Sequence, residues 1–133
     1  MGVMIKAQYL GDDTVELEHG PSGKKMVTDL PVDNGGQGRT FSPTDLLAAS
    51  MSSCILTVMS MAAKKDGLDL KGALVEVEKE MQASPRRVAR FMGRIVLPAH
   101  VTAAQKERLK AFIKACPVGG SLHPEVKVDL AVA

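Results

Sequence analysis

An α+β fold in a single domain, residues 1–133, is predicted by three features of the sequence. Short segments that alternate apolar and polar residues flank a long uncharged stretch, Gly and Pro punctuate them, and the composition, 45% hydrophobic and 24% charged, is that of an ordinary globular chain. The predicted order is strand, strand, strand, helix, strand, strand, helix, strand. No internal repeat or low-complexity segment interrupts it.

Val3 to Leu10 and Thr14 to Glu18 read as strands joined by a turn at Gly11-Asp12-Asp13. After a second turn at Gly20-Pro21-Ser22-Gly23, Lys24 to Leu30 forms a third strand with Met26, Thr28 and Leu30 on one face. An antiparallel meander is the simplest assembly. Pro31 to Thr40, PVDNGGQGRT, is a glycine loop. It lacks the strand-loop-helix spacing and the Lys-Ser/Thr pair of a phosphate-binding loop.

The chain is organised around the next stretch, Ser42 to Gly67. Ser42 is the expected N-cap, Pro43 the first helical residue, Asp45 the acidic partner of a capping box, and Gly67 the stop. No charge falls between Leu46 and Ala63, so the segment reads as a helix buried nearly all round. At about 1.5 Å per residue it is roughly 35 Å long, more than a small domain can wrap. A second copy of the chain is the expected cover. Ser50, Ser52, Ser53, Thr57 and Ser60 make it a poor membrane span.

Ala73 to Glu80 alternates apolar residues with Glu76, Glu78 and Glu80, and Arg87 to Leu97 follows as a strand whose edge carries Arg86, Arg87, Arg90 and Arg94. The two charge patterns match across a hairpin. Thr102 and Gln105 form a second capping box at the start of a helix running to Ala115. Leu109, Phe112, Ile113 and Cys116 recur at helical spacing, which puts Cys116 at the buried end of an amphipathic helix. Val118 to Pro124 is a loop, and Glu125 to Val132 the last strand.

Composition excludes several functions. Aromatic residues are 3% and Trp is absent, so no platform exists for stacking single-stranded nucleic acid. A net charge of +2 is too small to argue for nucleic acid by electrostatics. Two cysteines are too few for a disulfide scaffold, and the N-terminus MGVMIKAQYL lacks an apolar signal run, so a cytoplasmic address is expected.

Cys54 and Cys116 carry the chemistry. A thiol in a buried helix is either a small core residue or a held nucleophile. The spacing excludes a CxxC redox or zinc pair, and His19, His100 and His123 each stand alone in a turn or strand end. No metal and no cofactor are expected.

The block SPTDLLAASMSSC, Ser42 to Cys54, followed by Cys116-Pro117-Val118, resembles the osmotically inducible protein C and organic hydroperoxide resistance (OsmC/Ohr) family. The resemblance extends over nearly the whole chain. It implies an intertwined homodimer with paired central helices and sheets wrapped around them. It also implies thiol-dependent reduction of organic hydroperoxides, in which Cys54 attacks the peroxide and Cys116 resolves the product as a disulfide. A dithiol reductant, such as a lipoyl group, and a substrate site at the subunit interface belong to the same expectation. The Met-rich lining suits an apolar or fatty hydroperoxide. The family's peroxidases activate the thiolate with an arginine from the N-terminal strands and a glutamate ten positions before the cysteine. Here no arginine precedes Arg39, so Lys24, Lys25, Arg39 or one of Arg86, Arg87, Arg90 and Arg94 would take that role. Thr44 stands at the glutamate position, with Asp45 beside it. The rival is a non-catalytic dimer, binding or structural, with both cysteines in the core.

Overall fold

A computed structural model describes residues 2–133, in two compact units, Met1–Leu46 and Leu47–Ala133. The first holds strands β1 (Ile5–Gly11), β2 (Thr14–His19) and β3 (Lys25–Asp29), paired antiparallel in that order as the meander predicted. The turn between β1 and β2 is possible because Gly11, Asp12 and Asp13 all accept positive φ, at 87°, 53° and 60°. Beyond β3 the glycine loop folds on itself. The Gly36 N–H donates to the Pro31 carbonyl at 2.9 Å and the Gly38 N–H to the Leu30 carbonyl at 3.0 Å. A side chain on Gly36 would put Cβ 2.1 Å from the Leu30 oxygen, so only glycine fits. These donors are spent within the loop rather than pointed together at an outside group.

Helix α1 (Pro43–Lys65) begins in the first unit and runs through the second. Its fully buried residues are Ala48, Met51, Ile55, Met59 and Ala63. That is one stripe, so a single copy of the chain covers one side of α1 and leaves the rest of its apolar surface to another partner: a low charge count measures hydropathy, not the number of faces that the same chain covers. On the other side Ser50, Ser53, Thr57 and Met61 are exposed. The hydroxyls of Ser50, Thr57 and Ser60 donate to carbonyls three or four residues back, at 2.8–3.0 Å, so this face carries hydroxyls already satisfied within the helix. By length and composition α1 passes as a membrane span, with a mean hydropathy of 1.8, but its buried stripe is part of a protein core.

The sheet of the second unit has strands β4 (Leu74–Ala83), β5 (Arg86–Val96) and β6 (Lys127–Val132), with β4–β5 antiparallel and β5–β6 parallel. Val88, Phe91 and Ile95 of β5 share the core with the buried stripe of α1. The charged hairpin pairs as its pattern requires. Glu80 lies opposite Arg90 and Glu76 opposite Arg94, with N–O distances of 3.1 and 3.2 Å. Arg90 also reaches Asp129 at 3.7 Å, and Arg87 pairs with Glu125. Arg90 and Arg94 are thus paired with carboxylates of their own sheet, and Arg87 with Glu125 just before β6.

The second helix, α2 (Ala103–Lys110), starts with the predicted capping box, in which Thr102 and Gln105 cap each other. It does not reach Ala115 as an α-helix. After Lys110 it tightens into a 3₁₀ turn, Ala111–Ile113, and the chain then starts a new short helix, α3 (Pro117–Gly120). Cys116 is therefore the N-cap of α3 rather than the end of α2, and part of the expected loop is helical. Pro117 is the reason: it has no N–H to continue a helix but suits the first position of one.

Candidate functional site

Cys54 and Cys116 lie in the same unit, 62 positions apart, and both are free thiols. The fold brings them together: Cys54 stands close enough to Cys116 to help raise its thiol. Cys54 stands mid-way along α1, one position before the buried Ile55, and is half-buried at the margin of the core stripe. Cys116 is 2% exposed. Its sulfur accepts from the Gly119 N–H at 3.5 Å, as an N-cap does, and lies 4.0 Å from the Met51 carbonyl oxygen.

The two thiols are therefore unequal. Burial pushes the Cys116 thiol up, and the neighbouring Cys54 adds to this, while the Gly119 and Val118 N–H groups pull it partly back. At neutral pH Cys116 is a protonated thiol facing a more accessible one. A cavity of about 420 Å³ adjoins this end of the pair, with Met51, Ile113, Gly119 and Val128 in its walls and Lys110 and Lys114 at its rim.

The other two candidate residues serve the first unit. Asp45 caps α1 reciprocally with Ser42: the Ser42 N–H donates to Asp45 Oδ2 at 2.9 Å and the Asp45 N–H to Ser42 Oγ at 3.1 Å. Arg39 has all three guanidinium nitrogens engaged. Nε donates to Asp29 Oδ2 at 2.8 Å, Nη1 to Asp12 Oδ2 at 2.8 Å, and Nη2 to both the Asp12 carbonyl and Asp29 Oδ1 at 3.0 and 3.1 Å. Its charge is matched by two carboxylates. Of the remaining cations, Lys25 pairs with Glu16 and Glu18, Arg87 with Glu125, and Arg90 and Arg94 with acids of their own sheet. The histidines bond away from the two cysteines: His19 with Ser22, His100 with the Asp69 carbonyl, and His123 with the Glu125 N–H.

Sequence reasoning missed Asp29. Its carboxylate is buried, and it accepts from the Leu30 N–H, the Arg39 N–H and the Arg39 guanidinium, tying the end of β3 to the loop before α1. The only signal was a carboxylate closing a strand ten positions before an arginine. The Arg39 guanidinium, followed by the Arg39 backbone N–H, holds the Asp29 carboxyl well below the usual carboxylate range, against an opposing effect of burial. A depressed folded-state pKa contributes stability that is present above the unfolded value of about 3.9 and is lost as pH falls through the folded value. Asp29→Asn is accordingly expected to be less stable than the wild type at pH 7, with the gap narrowing below about pH 4. Urea midpoints at pH 7 and pH 3 check this. A gap of the same size at both would show that Asp29 acts by shape and not by charge.

A model of the OsmC-like protein family matches residues 36–131. Among solved structures, a Psychrobacter arcticus 273-4 protein of suggested osmotic-stress and detoxification role is 35% identical with a TM-score of 0.93, over 100% of this chain and 98% of that one. An OsmC organic hydroperoxide resistance protein from Legionella pneumophila is 20% identical with a TM-score of 0.80, over 100% and 97%. OhrB of Bacillus subtilis, an organic hydroperoxide resistance protein, is 13% identical with a TM-score of 0.69, over 100% and 98%. The last two show the fold alone. No curated protein sequence matches. Since the matched residues contain both cysteines and the whole length superposes on this α+β fold, the chain belongs to the OsmC-like family.

Proposed function

We propose that the protein is a homodimeric, cysteine-dependent organic hydroperoxide reductase of the cytoplasm, working in defence against oxidative stress. The observation that carries this reading is the contact between a half-buried thiol and a fully buried, protonated one. The Cys54 thiolate attacks the distal peroxide oxygen. The O–O bond breaks, the alkoxide leaves and takes a proton to become the alcohol, and Cys54 becomes a sulfenic acid. The Cys116 thiol then attacks the Cys54 sulfur, a disulfide forms, and water departs. A dithiol reductant, a lipoyl-type group by family resemblance, returns both thiols by exchange. Asp45 and Arg39 support the site indirectly in this reading, by fixing the start of α1 and the loop before it.

Addition of one equivalent of an organic hydroperoxide to the reduced protein is expected to convert both thiols into one intramolecular disulfide and to release one equivalent of alcohol. Thiols that stay free while the peroxide persists would instead identify a non-catalytic dimer with both cysteines as packing residues.

Exposed apolar side chains support the dimer. Ile5, Tyr9 and Leu10 on β1 are all more than half exposed, and Met61 on the outward face of α1 is 61% exposed. Sedimentation is expected to give a dimer even at nanomolar protein. A well-folded monomer there would remove the dimer from the proposal.

A further inference from the structure

Helix α3 is a single turn, and its first free N–H is held by a sulfur. The Gly120 N–H donates to the Cys116 carbonyl and the Ser121 N–H to the Val118 carbonyl, both at 3.0 Å, and Ser121 Oγ donates to the Pro117 carbonyl at 2.9 Å. Pro117 has no N–H, and the Gly119 N–H donates to Cys116 Sγ at 3.5 Å. Two of the four residues are glycine, the poorest helix former after proline. Nothing in the packing asks for them. Neither Gly119 nor Gly120 has a positive φ. A Cβ on Gly119 would meet only the Cys116 Cβ, at 4.0 Å, and one on Gly120 would stand in open space. Alanine fits at both positions, so the glycines leave α3 dependent on its sulfur cap.

The capping sulfur is also the one that a disulfide engages. Bonded to Cys54, it has its position set by α1, and a cap already 3.5 Å long has little slack for that movement. Gly119 and Gly120 stand in the wall of the cavity of about 420 Å³ beside the cysteine pair. We propose that α3 is a latch worked by Cys116: capped and closed while the thiols are free, uncapped and unwound once Cys116 is bonded to Cys54, so that the dithiol reductant reaches the Cys116 sulfur through the cavity. This inference rests on the disulfide of the proposed reaction, formed from the Cys54 sulfenic acid and the Cys116 thiol with loss of water. In its reduction, one thiolate of the reductant bonds to the Cys116 sulfur and the Cys54–Cys116 bond breaks, with Cys54 leaving as thiolate. The second thiol of the reductant then closes the reductant's own disulfide and releases Cys116, which takes up a proton. Burial raises the Cys116 thiol and makes it the poorer leaving group, which favours attack on its sulfur over attack on that of Cys54.

The test reads hydrogen exchange by mass spectrometry over residues 117–124. The disulfide is made with diamide, which takes the two thiol hydrogens, so that the measurement does not depend on peroxide chemistry. Exchange is expected to rise about fivefold on oxidation, the scale of losing one helix cap, and by as much in reduced Cys116→Ala. Reduced Cys116→Ser keeps a capping oxygen and is expected to exchange like the reduced wild type. In oxidised Gly120→Ala, exchange is expected to fall back about fivefold, and dithiothreitol to reduce the disulfide about fivefold more slowly than in the wild type. A disulfide that forms with no rise in exchange overturns the latch. Equal exchange in the serine and alanine variants overturns it too, as does reduction of Gly120→Ala at the wild-type rate or the absence of any intramolecular disulfide after diamide. A separate arm adds cumene hydroperoxide to the reduced protein. Thiols that survive it, with the diamide results as expected, remove the reductase reading and leave the latch standing.

Discussion

Cys54→Ser is expected to abolish hydroperoxide consumption, whereas Cys116→Ser is expected to permit a single turnover and then stop. The asymmetry follows from the surroundings of the two sulfurs. Cys54 is half-buried and the more accessible of the two. Cys116 is buried, and its thiol is pushed up by that burial, so it is protonated at neutral pH and a poor first nucleophile. A serine hydroxyl in place of Cys54 cannot ionise in this pH range, and no attack occurs. Without Cys116, the sulfenic acid on Cys54 has no resolving partner. It persists, or excess peroxide drives it to the irreversible sulfinic acid. Mass spectrometry of each variant after one equivalent of peroxide reads the difference: no added oxygen in Cys54→Ser, and one oxygen on Cys54 in Cys116→Ser. Equal oxidation of both variants, or none in the wild type, would mean that the contact between the cysteines is packing alone.

Phe91→Ala is expected to cost about 3–5 kcal/mol of unfolding free energy, the largest stability effect of any single truncation proposed for this chain. Phe91 lies on β5 with no exposed surface, in the core shared with Met51, Ile55 and Met59 of α1. The core is otherwise aliphatic and close-packed, and it relaxes only partly around a void. Against a typical domain stability of about 5–15 kcal/mol this is a large fraction, and functional protein should be lost on modest heating. Leu74→Ala, on the same sheet but 41% exposed, serves as the control and should cost well below 1 kcal/mol. Urea midpoints at one fixed protomer concentration compare the two, since dimerisation would make stability concentration-dependent. A loss in Phe91→Ala no greater than in Leu74→Ala would show that α1 is not held by this part of β5.

Local rules made the element order, both capping boxes and the charged hairpin legible in the sequence. A capping box needs residues three apart, a strand alternates with period two, and hairpin charges pair with their near neighbours, so each can be read within a short window. The motif from Ser42 to Cys54 and the later Cys116-Pro117-Val118 pointed to the family in the same way. What only the tertiary structure decided depends on distance through space. A hydropathy run does not say how many faces of α1 the chain itself covers, and the answer is one. Helical spacing placed Cys116 at the end of α2, but Pro117 started a new helix and turned its sulfur into a cap. The bond between Arg39 and the buried Asp29, and the contact between two thiols 62 positions apart, join residues that no local period relates. Pairings of that kind arise only when packing closes the loops between them, which is why the sequence could name the candidate residues while the fold alone determined which of them meet.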